Sequence, residues 1–326
     1  MDLDAIFLGT GGSVPSARRN TASVLVRRGG DRLLFDCGEG TQRQMQRSTG
    51  LVQVHEIFIT HLHADHYLGL PGLLKTWDMQ DRETSLVIYG PPGLTDLFAG
   101  LSRIVGRVRY PIELDELEPG SRVRFDGYAV EAFPVEHRIA AFGYALAEEP
   151  RPGRFDAELA RSLGVAEGPD FGKLQGGEEV AGSDGPVRPE QVLGPGRRGR
   201  RLVITGDTRP CDATAIAADG ADVLVHDSSF ADAEADRAVE TGHSTAREAG
   251  RLAAEAGVGM LALVHISARH FVPDILAEAR EEFPATEAPR DFDSIEIPLP
   301  ERGGPELISE GGLRGAEPDE PQPSSE

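Results

Sequence analysis

Four short apolar runs, far apart in the chain, each lead into residues able to bind a metal. Ile57–Thr60 leads into His61, His63, Asp65 and His66, and Tyr128–Val135 leads to His137. Leu202–Thr205 leads to Asp207, and Leu261–Val264 leads to His265. Runs of this length and β-branched content predict buried strands. Ligands at four strand ends can share one site only if those ends converge on one edge of packed sheets. That requirement restricts the fold more than any other feature. The densest part, Thr60-His-Leu-His-Ala-Asp-His66, places three imidazoles and a carboxylate on a loop leaving a strand tip. The chain has only 9 His in 326 residues, so this crowding is not a His-rich surface loop. Imidazole and carboxylate suit zinc, and the donors exceed what one tetrahedral ion takes. A bridging carboxylate can hold two cations about 3.5–4 Å apart, a spacing suited to phosphoryl chemistry.

The surrounding chain predicts alternating strands and helices. Asp4–Thr10 opens as a strand that breaks into Gly9-Thr10-Gly11-Gly12, a glycine-rich turn without the lysine of a phosphate loop. Thr21–Val26 and Arg32–Asp36 form a hairpin around Gly29-Gly30. Helices are expected over 41–48, 67–77, 91–105 and 273–283, with further strands at 85–89, 112–117, 123–125, 142–147, 221–226 and near 295. A helix over 244–256 has Ser244 as its expected N-cap and Gly257 as its stop. From 148 to 200 the chain turns to Gly, Pro and charge, which predicts an inserted arm with little core of its own. From 301 to 326 it is acidic and poor in apolar residues, and a disordered tail is expected.

With 54 acidic and 33 basic residues the formal charge is −21. All basic residues but Lys75 and Lys173 are arginine, a composition that resembles the proteins of salt-loving archaea. Global acidity argues against nucleic acid, but at molar salt the Debye length is about 3 Å and local clusters decide. The densest cluster is Arg197, Arg198, Arg200 and Arg201, for which phosphate contact is expected. No run approaches a membrane span, and the N-terminus has no secretory pattern, so a cytoplasmic protein is expected. Cys37 and Cys211 lack metal spacing and are expected as free, buried thiols.

His-x-His-x-Asp-His at a strand tip resembles the signature of the metallo-β-lactamase superfamily. The resemblance implies an α/β fold, a four-layer αβ/βα sandwich with a two-metal site at one sheet edge. It assigns His61, His63 and His137 to one zinc, Asp65, His66 and His265 to a second, and Asp207 to the bridge. It also gives Asp65 the part of proton acceptor.

Within the superfamily, five further pieces resemble the ribonuclease Z family, the tRNA 3′-processing endonucleases. They are Phe7–Ser16 with Arg18-Arg19-Asn20, Asp36–Arg43, Gly206-Asp-Thr-Arg-Pro210, Gly242-His-Ser-Thr245, and the arm segments Arg151–Phe155 and Gly168–Leu174. The likeness runs from about 3 to 300, giving a domain 1–300 in which 148–200 is a tRNA-binding arm. It implies a zinc endoribonuclease that removes the 3′ trailer from precursor tRNA, leaving a 3′-hydroxyl on the tRNA and a 5′-phosphate on the trailer. It implies a homodimer without an obligatory protein partner. His243 would assist the departing oxygen. His226, at a strand end, is read as a partner behind the metal ligands; His55 is read as structural. His270 stands open between packing and substrate contact. Two alternatives differ in class: a small-substrate hydrolase of the superfamily, and a non-catalytic RNA-binding module. The arm and His243-Ser244-Thr245 argue against the first, and the full ligand set against the second.

Overall fold

The computed structural model describes residues 1–309. Its first strands are β1 (Leu3–Gly9), β2 (Ser23–Arg28), β3 (Asp31–Phe35), β4 (Glu56–Phe58), β5 (Leu86–Gly90) and β6 (Ile112–Glu116). There follow β7 (Arg122–Phe125), β8 (Tyr128–Pro134), β9 (Phe142–Glu148), β10 (Val180–Gly182) and β11 (Gly185–Val187). The last are β12 (Arg201–Ile204), β13 (Val223–Asp227), β14 (Met260–Val264), β15 (Thr286–Glu287), β16 (Ser294–Glu296) and β17 (Glu306–Ile308). One sheet has eight strands in the order β17-β16-β1-β2-β3-β4-β5-β6, and a second has seven in the order β15-β14-β13-β12-β9-β8-β7.

The helices are α1 (Thr41–Arg47), α2 (Ala64–Tyr67), α3 (Leu70–Met79), α4 (Leu94–Val105), α5 (Ala157–Ser162) and α6 (Pro169–Gln175). They continue with α7 (Pro189–Val192), α8 (Asp212–Ala218), α9 (Ala235–Thr241), α10 (Ala246–Ala256) and α11 (Val272–Glu282). Met45 of α1, Leu73, Leu74 and Trp77 of α3 and Leu101 of α4 pack on Leu25, Leu34 and Ile57 of the first sheet. Ala249, Leu252 and Ala253 of α10 and Ile275 of α11 pack on Val203, Leu224 and Leu261 of the second. Between the sheets Phe35 and Phe58 stack at 5.1 Å, and Tyr144 of β9 meets Phe58 edge-on at 5.2 Å. The Tyr144 hydroxyl donates to the Ile59 carbonyl at 2.7 Å, which satisfies a polar atom otherwise costly to bury. Helix, sheet, sheet and helix make the expected four layers.

Strands β3, β4, β5 and β6 run parallel, as do β12, β13 and β14. The carboxyl ends of β3 and β4 lead to Asp36 and His61, and those of β12, β13 and β14 lead to Asp207, Asp227 and His265. Parallelism therefore gathers these side chains at one edge.

The structure differs from the sequence expectations in four places. Asp65 and His66 lie not on a loop but on the short helix α2, whose first turn closes when the His66 amide donates to the His63 carbonyl at 3.0 Å. The N-cap of α10 is Thr245, not Ser244. Counting the capping box back from Glu248 gives Thr245, and Ser244 instead donates to the Thr208 carbonyl at 2.6 Å. The inserted segment is a unit of its own, 126–128 with 147–199. It does have a core: Ala160, Val165, Leu174, Val180, Val187 and Val192, with Phe155 packed against Phe171 at 4.9 Å. Finally, the chain beyond 300 does not leave the fold at once. Strand β17 pairs antiparallel with β16, with Leu307 opposite Ile295; Leu307 is half-buried on the sheet edge, while Ile308 stays exposed. Of the expected tail, 310–326 lie outside the described residues.

Candidate metal centre

His61 is fully buried, and its Nε2 lies 3.0 Å from His63 Nδ1. His137 Nε2 lies 3.2 Å from the same His63 Nδ1. Asp207 stands between two groups of ligand atoms. Its Oδ2 is 3.6 Å from His61 Nε2 and 3.3 Å from His265 Nε2, and its Oδ1 is 3.3 Å from His66 Nε2. Asp65 Oδ2 is 3.3 Å from His265 Nε2 and 3.6 Å from His66 Nε2. The donor atoms of His61, His63, His137 and Asp207 lie within 4.8 Å of one another, as do those of Asp65, His66 and His265. All seven sequence candidates are brought together.

Two observations test whether cations fit. Buried His66 Nε2 and Asp207 Oδ1 have no hydrogen-bond partner among the described residues. Orphaned buried polar atoms are costly, and a metal would satisfy them. Second, the other ring nitrogen of four histidines is held from behind, which frees the inward nitrogen for a ligand bond. His66 Nδ1 sits 2.7 Å from Asp36 Oδ2, and His265 Nδ1 sits 2.7 Å from Ser229 Oγ. His137 Nδ1 donates to the Gly242 carbonyl at 2.7 Å, and His61 Nδ1 meets Thr60 Oγ1 at 3.0 Å. The donor set is a divalent-metal site.

The electrostatics agree. Burial holds His61 well below its ordinary pKa, as charge on His66 also does, and burial lowers His63 and His137 too. The shift favours the neutral ring, the form that binds a metal. For His66 and His265, burial opposes charge, but the carboxylates around them together raise both: Asp207 and Asp36 for His66, and Asp207, Asp65 and Asp227 for His265. Burial likewise opposes ionisation of Asp207, yet His265, His66 and His61 outweigh it and keep the carboxylate charged.

Asp36 and Asp227 have no counterpart in the sequence assignment. Asp36 accepts from the Thr60 amide at 2.8 Å and from its hydroxyl at 2.9 Å, besides holding His66. Through Thr60 it orients His61 as well. Its φ is +57°, and His265 has φ +59°, both in the left-handed region uncommon for residues with a Cβ. Asn tolerates that region, so Asp36→Asn removes the charge and keeps the backbone. Losing such an outer partner costs roughly 10–100-fold in metal affinity, and chelator competition should read that loss.

Asp227 replaces His226 in the role expected behind the ligands. Adjacent strand residues face opposite ways, and β13 turns Asp227 to the site. Its Oδ2 lies 2.7 Å from His243 Nδ1, and its Oδ1 accepts from the Ser229 hydroxyl at 2.6 Å. Buried His226 bonds the Asp227 carbonyl through Nδ1 at 2.8 Å instead. His243 follows the left-handed Gly242 that ends α9. Burial opposes its charge, but the Asp227 carboxylate wins and lifts its pKa to about 9. His270 Nε2 lies 3.0 Å from Glu234, and His55 is exposed.

The glycine-rich opening turn also serves the site. The Ser13 amide donates to Asp65 Oδ2 at 2.8 Å, and a Cβ on Gly12 would meet the His265 ring at 2.6 Å. Asp291 fixes the turn by accepting from the Thr10 amide at 3.1 Å and the Asn20 amide at 2.7 Å. The arginine cluster does not act as one surface. Arg200 is buried, donating to the Ile297 and Met1 carbonyls at 2.9 and 3.0 Å, and Arg201 donates to the Ala217 carbonyl at 2.7 Å. Both donate to main-chain carbonyls rather than stand free for phosphate.

A family model of the metallo-β-lactamase superfamily matches residues 17–239. The chain belongs to that superfamily. Ribonuclease Z of Myxococcus xanthus is 51% identical over 298 residues, 90% of this chain and 97% of its own. Ribonuclease Z of Haloferax volcanii is 49% identical over 310 residues, 93% of this chain and 98% of its own. The crystal structure of human tRNase Z, short form, is 28% identical with a TM-score of 0.67, covering 91% of this chain and all of that one. Within the superfamily, the chain belongs to the ribonuclease Z family.

Proposed function

We propose that this chain is a zinc-dependent endoribonuclease that removes the 3′ trailer from precursor tRNA. Two zinc ions per subunit would be held by His61, His63 and His137 and by Asp65, His66 and His265, with Asp207 shared between the two sets. The observation that carries the reading is the doubled donor set with its outward nitrogens held, in a chain about half identical to ribonucleases Z. When bound, the ions would supply Lewis acidity, acidifying a water and offsetting charge on the phosphoryl oxygens.

The chain's own residues do the rest. Asp65 accepts the Ser13 amide and faces His265, so it is oriented to take a proton from the attacking water. His243, charged through Asp227, donates a proton to the departing 3′-oxygen of the tRNA. The products are a tRNA with a 3′-hydroxyl and a trailer with a 5′-phosphate. Incubation with a 3′-extended precursor, with and without chelator, followed by end mapping, tests the reading. Cleavage of a small phosphodiester but not of the precursor would overturn it.

In the same proposal the inserted unit binds the tRNA body, and the enzyme works as a cytoplasmic homodimer. Among the described residues no helix is long and apolar enough to cross a membrane. The arm's own core supports a separable function: deleting 151–192 removes Phe155 and Phe171 together with their cluster. The deletion should leave small-diester hydrolysis intact and weaken precursor tRNA binding at least about tenfold, or about 1.4 kcal/mol. Gel-shift titration checks this, and equal affinity would remove the arm from the tRNA site.

A further inference from the structure

Outside the donor set, three segments meet around one aromatic ring. Phe230 is 6% exposed, and two exposed arginines lie over it. The guanidinium carbons of Arg237 on α9 and Arg269 after β14 stand 6.0 and 5.9 Å from the ring centroid. The rings of His243 and His270 lie 6.1 and 6.3 Å from the same centroid. Glu234 is 3.4 Å from Arg269 and 3.0 Å from His270, and so offsets part of the positive charge. Among the described residues Arg237 has no carboxylate partner. In a chain of charge −21, an unpaired arginine converging with a second on one ring is unusual. An aromatic platform holds planar guanidiniums in place with N–H groups turned outward, an arrangement suited to phosphate. Arg269 spends part of its edge on long contacts of 3.4 Å to Ser267 Oγ and Glu234, whereas Arg237, among the described residues, does not.

The place of the cluster selects the phosphate. It adjoins His243, which serves the departing 3′-oxygen. The nucleotide on that side is the last one retained by the tRNA. We propose that Arg237 and Arg269, held on Phe230, bind the phosphodiester on the 5′ side of that nucleotide. The subsite rests on the assignment of His243 and of precursor tRNA as substrate. Its work is to place the leaving nucleotide so that the 3′-oxygen meets His243, a positioning role.

A substrate-modification cycle tests it. Precursor tRNAs are assembled with a single uncharged methylphosphonate, either at this linkage or at the first internal linkage of the trailer. Single-turnover kcat/KM is measured for the wild type and for Arg237→Gln/Arg269→Gln. Neutralising the 5′ linkage should slow the wild type by about 10–100-fold, the worth of a charged hydrogen bond. The variant should lose a similar factor on the natural precursor, and combining the two should cost nothing further. At the trailer linkage the losses should multiply. Multiplying losses at the 5′ linkage, or no effect of either change on the wild-type rate, would overturn the subsite. Failure of the wild type to cut the natural precursor would instead overturn the functional reading. Metal content reports on folding, and if the double variant loses metal, exposed Arg237→Gln alone carries the same cycle.

Discussion

Replacing Asp207 with alanine should abolish precursor cleavage and strip the protein of metal more completely than any single histidine change. Each histidine serves one group of donors, whereas Asp207 approaches His61 and His265 through Oδ2 and His66 through Oδ1. Its removal also takes away the one carboxylate those three histidines share, so the site loses charge balance as well as a ligand. The loss in affinity should exceed the roughly 10–100-fold typical for an outer partner. Elemental analysis after dialysis gives the metal content, and cleavage assays at saturating zinc give the rate. Full occupancy in Asp207→Ala would remove the bridging assignment.

His243→Ala should show the opposite pattern: metal retained, tRNA binding nearly unchanged, and the chemical step slowed by about 10²–10⁴-fold, the usual worth of general acid catalysis. Neither group of donors needs His243 to reach three ligands. Its Nδ1 is taken by Asp227, which leaves Nε2 to face the substrate. Single-turnover cleavage beside metal analysis separates the cases. A near-normal rate, or loss of metal in this variant, would show that His243 packs the turn rather than serves the leaving oxygen.

The site was legible where its chemistry is local and hidden where it depends on packing. His61, His63, Asp65 and His66 sit within six positions, and the apolar runs before His137, Asp207 and His265 fixed their place at strand ends. Asp36 gave no such signal. It opens the family-like run Asp36–Arg43, but nothing in that run tells its role, and only the parallel pairing of β3 with β4 brings it behind His66. At the end of β13 the choice between His226 and Asp227 depended on a period of two, and a one-residue slip reverses which of them faces the metals. The cap of α10 had a readable signal in the Thr245 to Glu248 spacing. The arm's core was obscured because its apolar residues are scattered among glycine, proline and charge. They become a cluster only when short helices and a hairpin fold together.

The donors do not come from one sheet. His61, His63, Asp65 and His66 follow β4 of the eight-stranded sheet, while His137, Asp207 and His265 follow β8, β12 and β14 of the seven-stranded one. Each cation would thus be a cross-link between the two halves of the sandwich, clamping chain segments up to 200 positions apart, from Asp65 to His265. A ligand that binds only the folded chain stabilises it by about 4.1 kcal/mol when present at 1,000 times its Kd. Such ions would then also be rivets, and chelation should loosen the seam between the sheets at the very edge that holds the donors.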